Sequence, residues 1–393
     1  MKILISGASI AGPALAYWLG RYGFQPTIVE IAPRLRTGGN AVDFRGPLHL
    51  GVLRRMGRVL GELEKVRTGG TTMRFVDEHD NRLAELPAEF AGGDLEVQRG
   101  DLARVLCAAG EDRTEYLFGD SIAAMTEHPA GVDVTFAGGQ RRTFDLVIGA
   151  DGVHSAVRRL TFGPESQFVR HLGYYVAGWD VPNEWGVETD WVIYNEPGRM
   201  ASIGTDRHDP ARAGAFITFA SPPLDYDRRD DAAKRRIIRE RYAGMRWRVP
   251  AVLAALDDAP DLYFDQICRV DLPHWSKGRV ALVGDAACGA TIGGQGNGTA
   301  LVAAYALAGE LAAAAGDHTI AFARYEQRIA KFARGTQKGG DTTGRFLAPK
   351  TARGLRIRNG MHNLGWFMTL SSKIAKDRST NVDLPDYESL ARR

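Results

Sequence analysis

The first thirty residues constrain this chain more than any other stretch. KILIS (residues 2–6) is a short apolar run that stops at Gly7. PALAYWLGRYG then places Ala14, Leu15, Trp18 and Leu19 on one helical face, with Pro13 in a first turn that tolerates it. QPTIVE follows as a second strand and closes on Glu30. Strand, helix and strand in this order form a βαβ unit, which requires a parallel sheet buried on both faces. The turn between the first two elements reads Gly7-Ala8-Ser9-Ile10-Ala11-Gly12. A dinucleotide-binding turn needs a glycine to leave the strand, a small residue where backbone meets the pyrophosphate, and a glycine for close helix packing. It also needs an acid on the next strand for a ribose hydroxyl. Ser9 occupies the middle glycine position and is small enough to keep that approach open. The set predicts an adenine dinucleotide; a tight βα turn in another doubly wound protein is the plainer alternative.

Two further apolar strands, FDLVIGAD (144–151) and RVALVGD (279–285), lie far along the chain and both end in an acid after glycine. An acid at the carboxyl end of a parallel strand stands where doubly wound sheets bind ligands. Asp151 has a second reading, as a cap for a helix starting near Ser155. After Asp285 comes GDAACGATIGGQGNGTA (284–300), in which Gly293, Gly294 and Gly296 precede a long helix beginning near Asn297. A helix N-terminus offers unpaired N–H groups and partial positive charge, and glycines let a flat ring lie against backbone. That combination suits a flavin, with Asp285 accepting from the ribityl hydroxyls. A glycine-rich turn with no ligand is the alternative for this segment taken alone.

Between these pieces the residue types change. Residues 71–98 and 171–268 are rich in aromatic and β-branched side chains, as in TTMRFVD, LGYYVAGWDV, DWVIYNE and AGAFITFAS, and read as antiparallel strands. The expected fold is α/β: a Rossmann-like nucleotide-binding domain with an inserted antiparallel β-sheet domain and a C-terminal helix. The first domain is expected from 1–70, 99–170 and 269–335, the second from 71–98 and 171–268, and a helical segment from 336–393. In that last segment Leu347, Leu355, Met361, Leu364, Phe367 and Met368 recur at roughly helical spacing.

Charge and cysteine usage narrow the function. Fifty basic against 47 acidic residues leave +3, too little to argue for nucleic acid. The basic C-terminal residues Lys331, Arg334, Lys338, Arg345, Lys350, Arg353, Arg356 and Arg358 are interleaved with apolar ones and read as a solvated helix face. Cys107, Cys268 and Cys288 show no CxxC spacing, which fits a reducing compartment without a disulfide frame or zinc site. No metal is expected. No stretch has the composition of a signal peptide or the ~18–20 apolar residues of a membrane span. A cytoplasmic protein, monomeric or weakly dimeric, is expected.

Taken jointly and in order, the GxSxxG turn, Glu30, Arg99 in VQRGDLARVL, GADG, and GDAA with GQG resemble the single-component FAD-dependent aromatic hydroxylases of the para-hydroxybenzoate hydroxylase fold. The similarity runs to about residue 335, and the compact length is similar to tetracycline-inactivating and polyketide-tailoring monooxygenases. The resemblance implies that Gly7, Ser9, Ile10, Ala11, Gly12 and Glu30 hold the ADP half of FAD. It places Arg99 on the flavin side, has Asp151 support both FAD and the reducing nucleotide, and gives the ribityl chain to Asp285. Gly294, Gly296 and Asn297 would lie beside the isoalloxazine. Arg45 in AVDFRG would steer the flavin or the nicotinamide, or be a surface arginine.

The resemblance also implies the reaction: NADH or NADPH reduces FAD, oxygen adds to give a C4a-hydroperoxide, and its distal oxygen attacks an electron-rich aromatic or polycyclic ring. Water must be excluded from that site. Phe75, Trp179, Trp191, Tyr194 and Phe216 are candidates for its aromatic wall, although strand alternation sends roughly half of such residues elsewhere. His171 and Tyr194 are the candidates for a base. One departure stands out: the family commonly has histidine where Cys288 stands and a proline before GQG, and no proline occurs between Cys288 and Gly294. Cys288 reads as a packed small side chain. Two other functions stay open, an FAD oxidoreductase of this fold that inserts no oxygen and a non-enzymatic flavin-binding protein.

Overall fold

A computed structural model describes residues 1–36, 41–68, 70–88, 93–188, 190–205, 209–293, 295–362 and 382–392. Its parallel sheet orders the strands Val280–Leu282, Leu146–Gly149, Lys2–Ser6, Gln25–Glu30 and Glu115–Phe118, with Ser276–Lys277 antiparallel at one edge. Ile3, Leu4, Ile5, Leu146, Val147 and Ile148 are all fully buried, the unbroken apolar pattern of a sheet covered on both faces. Helix Ala11–Arg21 packs between helices Gly296–Ala313 and Arg99–Gly110. Gly296–Ala313 is buried all round from Gly298 to Leu311, as its uniformly apolar sequence requires.

The order of the strands decides where a ligand can sit. From Lys2–Ser6 the chain first builds outward through Gln25–Glu30 and Glu115–Phe118, then returns to add strands on the other side. The direction reverses where Ser6 pairs with Gly149, so the crevice beyond their carboxyl ends is the natural binding position. Gly7 leaves that point at φ +107°, and a Cβ there would lie 2.5 Å from the Ala150 carbonyl oxygen.

The expected α/β architecture with an inserted sheet is what the structure has. That second sheet runs Tyr263–Val270, Val169–Pro182, Arg212–Ala220, Arg199–Thr205, Asp190–Glu196, Thr72–Val76 and Arg82–Leu86. One pair departs from antiparallel: Thr72–Val76 lies parallel to Asp190–Glu196, because the two belong to separate pieces of chain and no hairpin sets their direction. A further antiparallel unit, Ile122–His128, Gly131–Phe136 and Arg141–Phe144, adds to the first lobe and was not anticipated.

The second sheet has two apolar faces. One carries Tyr175, Trp179, Tyr194 and Phe219 against helices Asp231–Tyr242 and Val249–Ala254. The other carries Phe75, Tyr174, Val176 and Ile193, with Leu347 and Phe346 of helix Gly340–Leu347 over them. Helix Ala352–His362 follows, and its Arg358 overturns the expectation of a wholly solvated basic face. Arg358 is 7% exposed, with its guanidinium 4.2 Å from the Phe75 ring centroid. It donates to Asn195 Oδ1 at 2.8 Å and to the Phe346 carbonyl at 3.1 Å. Leu364, Phe367 and Met368 lie outside the described residues. In the described segment 382–392, Tyr387 donates through its hydroxyl to the buried Glu310 carboxylate at 2.5 Å.

Candidate active site

Glu30 uses both carboxylate oxygens on the turn, accepting from Ala8 N–H at 2.8 Å and Ala32 N–H at 3.0 Å. At Gly12 a Cβ would stand 1.9 Å from the Gly7 carbonyl oxygen, so only glycine lets the helix approach this closely. Ile10 and Ala11 are buried at the helix start, which has no side-chain cap and no acid in its first turn. Its N–H groups are therefore left for a ligand. The unusual Ser9 has a partner of its own: its hydroxyl accepts from Arg99 Nη2 at 3.0 Å and Nε at 3.3 Å. A glycine could not hold Arg99 across the mouth of the turn.

Asp151 sits at the switch point but faces the helix Ala156–Phe162. It accepts from the Ser155 hydroxyl, from Val157 N–H at 3.1 Å and from the Ser6 hydroxyl at 3.5 Å. Burial pushes its pKa up, and the Ser155 and Val157 bonds pull the other way. The N-cap itself is Ser155, whose hydroxyl accepts from Arg158 N–H at 2.9 Å, and Asp151 supports that cap from the end of its strand at the switch point. Arg158, 1% exposed, reaches from the same helix to the Ala286 carbonyl oxygen at 3.0 Å and so ties Asp151's surroundings to the Asp285 segment.

Asp285 opens the short helix Asp285–Cys288 after Gly284, which has φ +63°. Burial raises its pKa while the nearby Arg99 charge lowers it. Among the described residues its carboxylate meets no hydrogen-bond donor, and a Cβ on Gly296 would lie 3.1 Å from Oδ1. Half-buried in the crevice, that carboxylate keeps free lone pairs for hydroxyl donors from a ligand. Beside it, helix Gly296–Ala313 starts from Gln295 in the left-handed region (φ 51°) with no side-chain cap and no acid in its first turn. Asn297 is in that turn, and Gly294 lies outside the described residues. Gly293 (φ +80°) packs on helix Gly340–Leu347, where a Cβ would come 2.1 Å from Thr343 Oγ1. Cys288 is half-buried, and burial pushes its thiol up to about 12, which keeps it an unreactive thiol.

Ser9, Arg99, Asp285 and the Gln295–Asn297 turn thus converge on one crevice. The proposed wall and base residues divide between the sheet's two faces. Trp191 and Phe216 are half-buried and meet edge to face at 6.1 Å on the face that carries Phe75. Trp191 lies over Gly204, where a Cβ would be 2.3 Å from its ring. Trp179 and Tyr194 point the opposite way: Trp179 Nε1 donates to the Val252 carbonyl at 3.2 Å, and the Tyr194 hydroxyl donates to Glu196 at 3.2 Å. Burial helps push Tyr194 up to about 12. His171 has its Nε2 2.9 Å from the Ser221 carbonyl and Nδ1 3.1 Å from Gln266 Oε1, beside Tyr175 on that same far face. Neither base candidate is brought to the crevice. Strand alternation sends Trp179 and Tyr194 to the far face, as it does about half of the residues of any strand. Arg45 pairs through Nε with Asp43 and donates its backbone N–H to His49 Nδ1 at 3.2 Å.

One charged cluster was not anticipated. His154, three residues after Asp151, has Nε2 3.0 Å from Asp265 Oδ1 and Nδ1 3.1 Å from Glu165, which also pairs with Arg228. The partners are distant in sequence, and no local pattern announced them. Among the described residues a cavity of about 1260 Å³ lies between helix His318–Gln337 and residues 274–278, away from all of these groups.

A family model described as an FAD binding domain matches residues 1–336. The chain is 42% identical over 338 residues to an uncharacterized protein of Mycobacterium tuberculosis, covering 84% of this chain and 90% of that one. It is 38% identical over 394 residues to a flavin-dependent monooxygenase of an unknown prokaryotic organism, covering 98% and 99%. The crystal structure of the tetracycline destructase Tet(51) superposes with a TM-score of 0.86 at 33% identity, covering 98% of this chain and 99% of that one.

Proposed function

The chain belongs to the FAD binding domain family of flavin-dependent monooxygenases, and we propose that it hydroxylates an aromatic or polycyclic small molecule at the expense of NADH or NADPH. The observation that carries the cofactor assignment is Asp285, a half-buried carboxylate that no described side chain or backbone N–H meets, beside an uncapped helix N-terminus. Ribityl hydroxyls are donors of the kind it needs. A Cβ at Gly7 or Gly12 would strike the Ala150 or Gly7 carbonyl and one at Gly296 would crowd Asp285 Oδ1, so glycine keeps these turns tight enough to bring backbone N–H groups to a dinucleotide, and the described residues fit FAD.

When bound, FAD supplies hydride acceptance and the activation of oxygen; the chain supplies orientation and electrostatics. Residues 7–12 and Glu30 would hold the dinucleotide end, with Glu30 keeping lone pairs beyond the two bonds it makes. The Gly296–Ala313 N-terminus would favour negative charge on the ring's pyrimidine side. Arg99, anchored by Ser9, would lie along the flavin. Trp191 and Phe216 would present apolar edges to a flat substrate and keep water out. The overall reaction consumes substrate, O2, NAD(P)H and a proton, and yields hydroxylated product, NAD(P)⁺ and water. The likeness to Tet(51) makes tetracyclines and other polycyclic phenols the first substrates to try.

Labelled oxygen tests this reading. With a substrate that accelerates NAD(P)H oxidation, ¹⁸O from ¹⁸O2 should appear in the product, and product should not form under nitrogen. The missing proline before GQG favours one competitor, an oxidoreductase without oxygen insertion. Product formed equally well under nitrogen would select it. FAD bound but never bleached by NAD(P)H would select a non-enzymatic protein instead.

A further inference from the structure

His49 takes no part in the reading above, yet it packs on the first turn of the helix whose N-terminus lines the crevice. It lies in helix Gly46–Arg55 and is 0% exposed. Its Nδ1 accepts the Arg45 backbone N–H at 3.2 Å, which leaves the ring proton on Nε2, and Nε2 has no partner. The other side of the ring lies on the first turn of helix Gly296–Ala313. A Cβ on Gly298 would come within 2.2 Å of His49 Cε1 and 2.6 Å of Nε2. Phe332 closes the ring's edge at 6.5 Å. Burial, with the Arg45 charge, lowers its pKa to about 4, so the imidazole is neutral. A cation here would face both Arg45 and the positive end of the helix.

We propose that His49 is a positioning residue for the flavin site, holding the Arg45 junction and the Gly296–Gly298 turn in register as a neutral wedge. One attachment reaches the crevice directly, since Gly296 abuts Asp285; the other, Arg45, caps the helix after the Ala41–Phe44 strand, whose Ala41 pairs with Gln98 beside Arg99. An apolar side chain would fill the space and leave the Arg45 N–H without an acceptor. A larger residue 298 would push the ring off the turn. The proposal rests on the FAD reading of this site.

Four variants of the full chain test it: His49→Phe, His49→Asn, Gly298→Ala and the double variant His49→Ala with Gly298→Ala. The readouts are FAD affinity by flavin fluorescence quenching, the flavin absorption spectrum, and the melting temperature of the FAD-free protein. His49→Phe should melt somewhat below the wild type when FAD-free, because the Arg45 N–H loses its acceptor, but should bind FAD roughly tenfold or more weakly, beyond what that loss of stability accounts for, with a shifted flavin spectrum. His49→Asn, whose Oδ1 can take the place of Nδ1, should recover part of that loss. Gly298→Ala should weaken FAD binding, and the double variant should bind more tightly than Gly298→Ala alone. Wild-type affinity and spectrum in His49→Phe overturn the proposal. So does a loss of affinity that only follows a loss of melting temperature, or a double variant no better than Gly298→Ala. A wild-type protein that binds no FAD would sink the cofactor reading itself, and the proposal with it.

Discussion

His154 holds Asp265 across 3.0 Å, joining the loop after the Leu146–Gly149 strand to the edge strand of the second sheet. Its other nitrogen meets Glu165, so the imidazolium lies between two carboxylates. Burial works against its charge, but the two carboxylates prevail and raise its pKa to about 9. Glu165, against the same burial, is pulled down to about 2 by His154 and Arg228.

These shifts define a pH window. A raised histidine contributes fully below its unfolded value near 6.5 and loses that contribution as pH rises through about 9. A lowered glutamate contributes fully above about 4.5 and loses it as pH falls toward about 2. Stability is therefore expected to fall by on the order of 2–3 kcal/mol between pH 6.5 and 9.5. Thermal melts across that range test it. His154→Gln should melt lower at pH 6.5 and lose most of the alkaline slope; an unchanged slope would mean other groups produce it.

Asp285→Ala should fold and lose FAD affinity by at least tenfold, since it removes the acceptor assigned to the ribityl hydroxyls. Equilibrium dialysis against FAD measures this directly. Full FAD occupancy in the folded variant would show that the role belongs elsewhere.

The two tryptophans of the second sheet should behave oppositely. Trp179→Ala empties a site packed on the Val249–Ala254 helix and should cost about 3–5 kcal/mol in denaturant melts, with no change of substrate preference. Trp191→Ala should cost less stability and raise KM for polycyclic substrates more than it changes kcat. Equal effects of both on KM would remove Trp191 from the wall.

Arg358→Met keeps much of the side-chain volume but deletes the bonds to Asn195, Phe346 and Leu347. Burial holds its pKa near 10, still charged at neutral pH. A loss of about 2–4 kcal/mol is expected, because buried carbonyls are left without a donor. Helix Ala352–His362 should then become the first site of limited proteolysis; protection equal to wild type would show that its other contacts suffice.

Much of this was legible in the sequence where chemistry is local. The Gly7–Gly12 turn, Glu30 and the acids at 151 and 285 are read from neighbours within one βα unit, and the structure brings them to one switch point. What failed depends on phase or on distance. Ile193 and Tyr194 are adjacent, and only the strand's orientation says which faces the crevice. His154 needed Asp265, 111 positions away, to become a clamp. Arg358 looked like one more exposed cation until Phe75 and Asn195 supplied its surroundings. His49 carried no motif; its meaning comes from Gly298, on a helix that starts far down the chain.

The parallel pairing of Thr72–Val76 with Asp190–Glu196 has a consequence for synthesis. As the chain leaves the ribosome, the early strand and its hairpin partner Arg82–Leu86 emerge more than a hundred residues before the strand that shields their inner edge. At ~5–20 residues per second that edge waits for seconds or longer. The first sheet is also incomplete until Val280–Leu282 is made. Both sheets wait for strands from the last third of the chain, Tyr263–Val270 and Val280–Leu282, so the lobes mature together late in translation, and the waiting hairpin is the segment most exposed to chaperones and to aggregation.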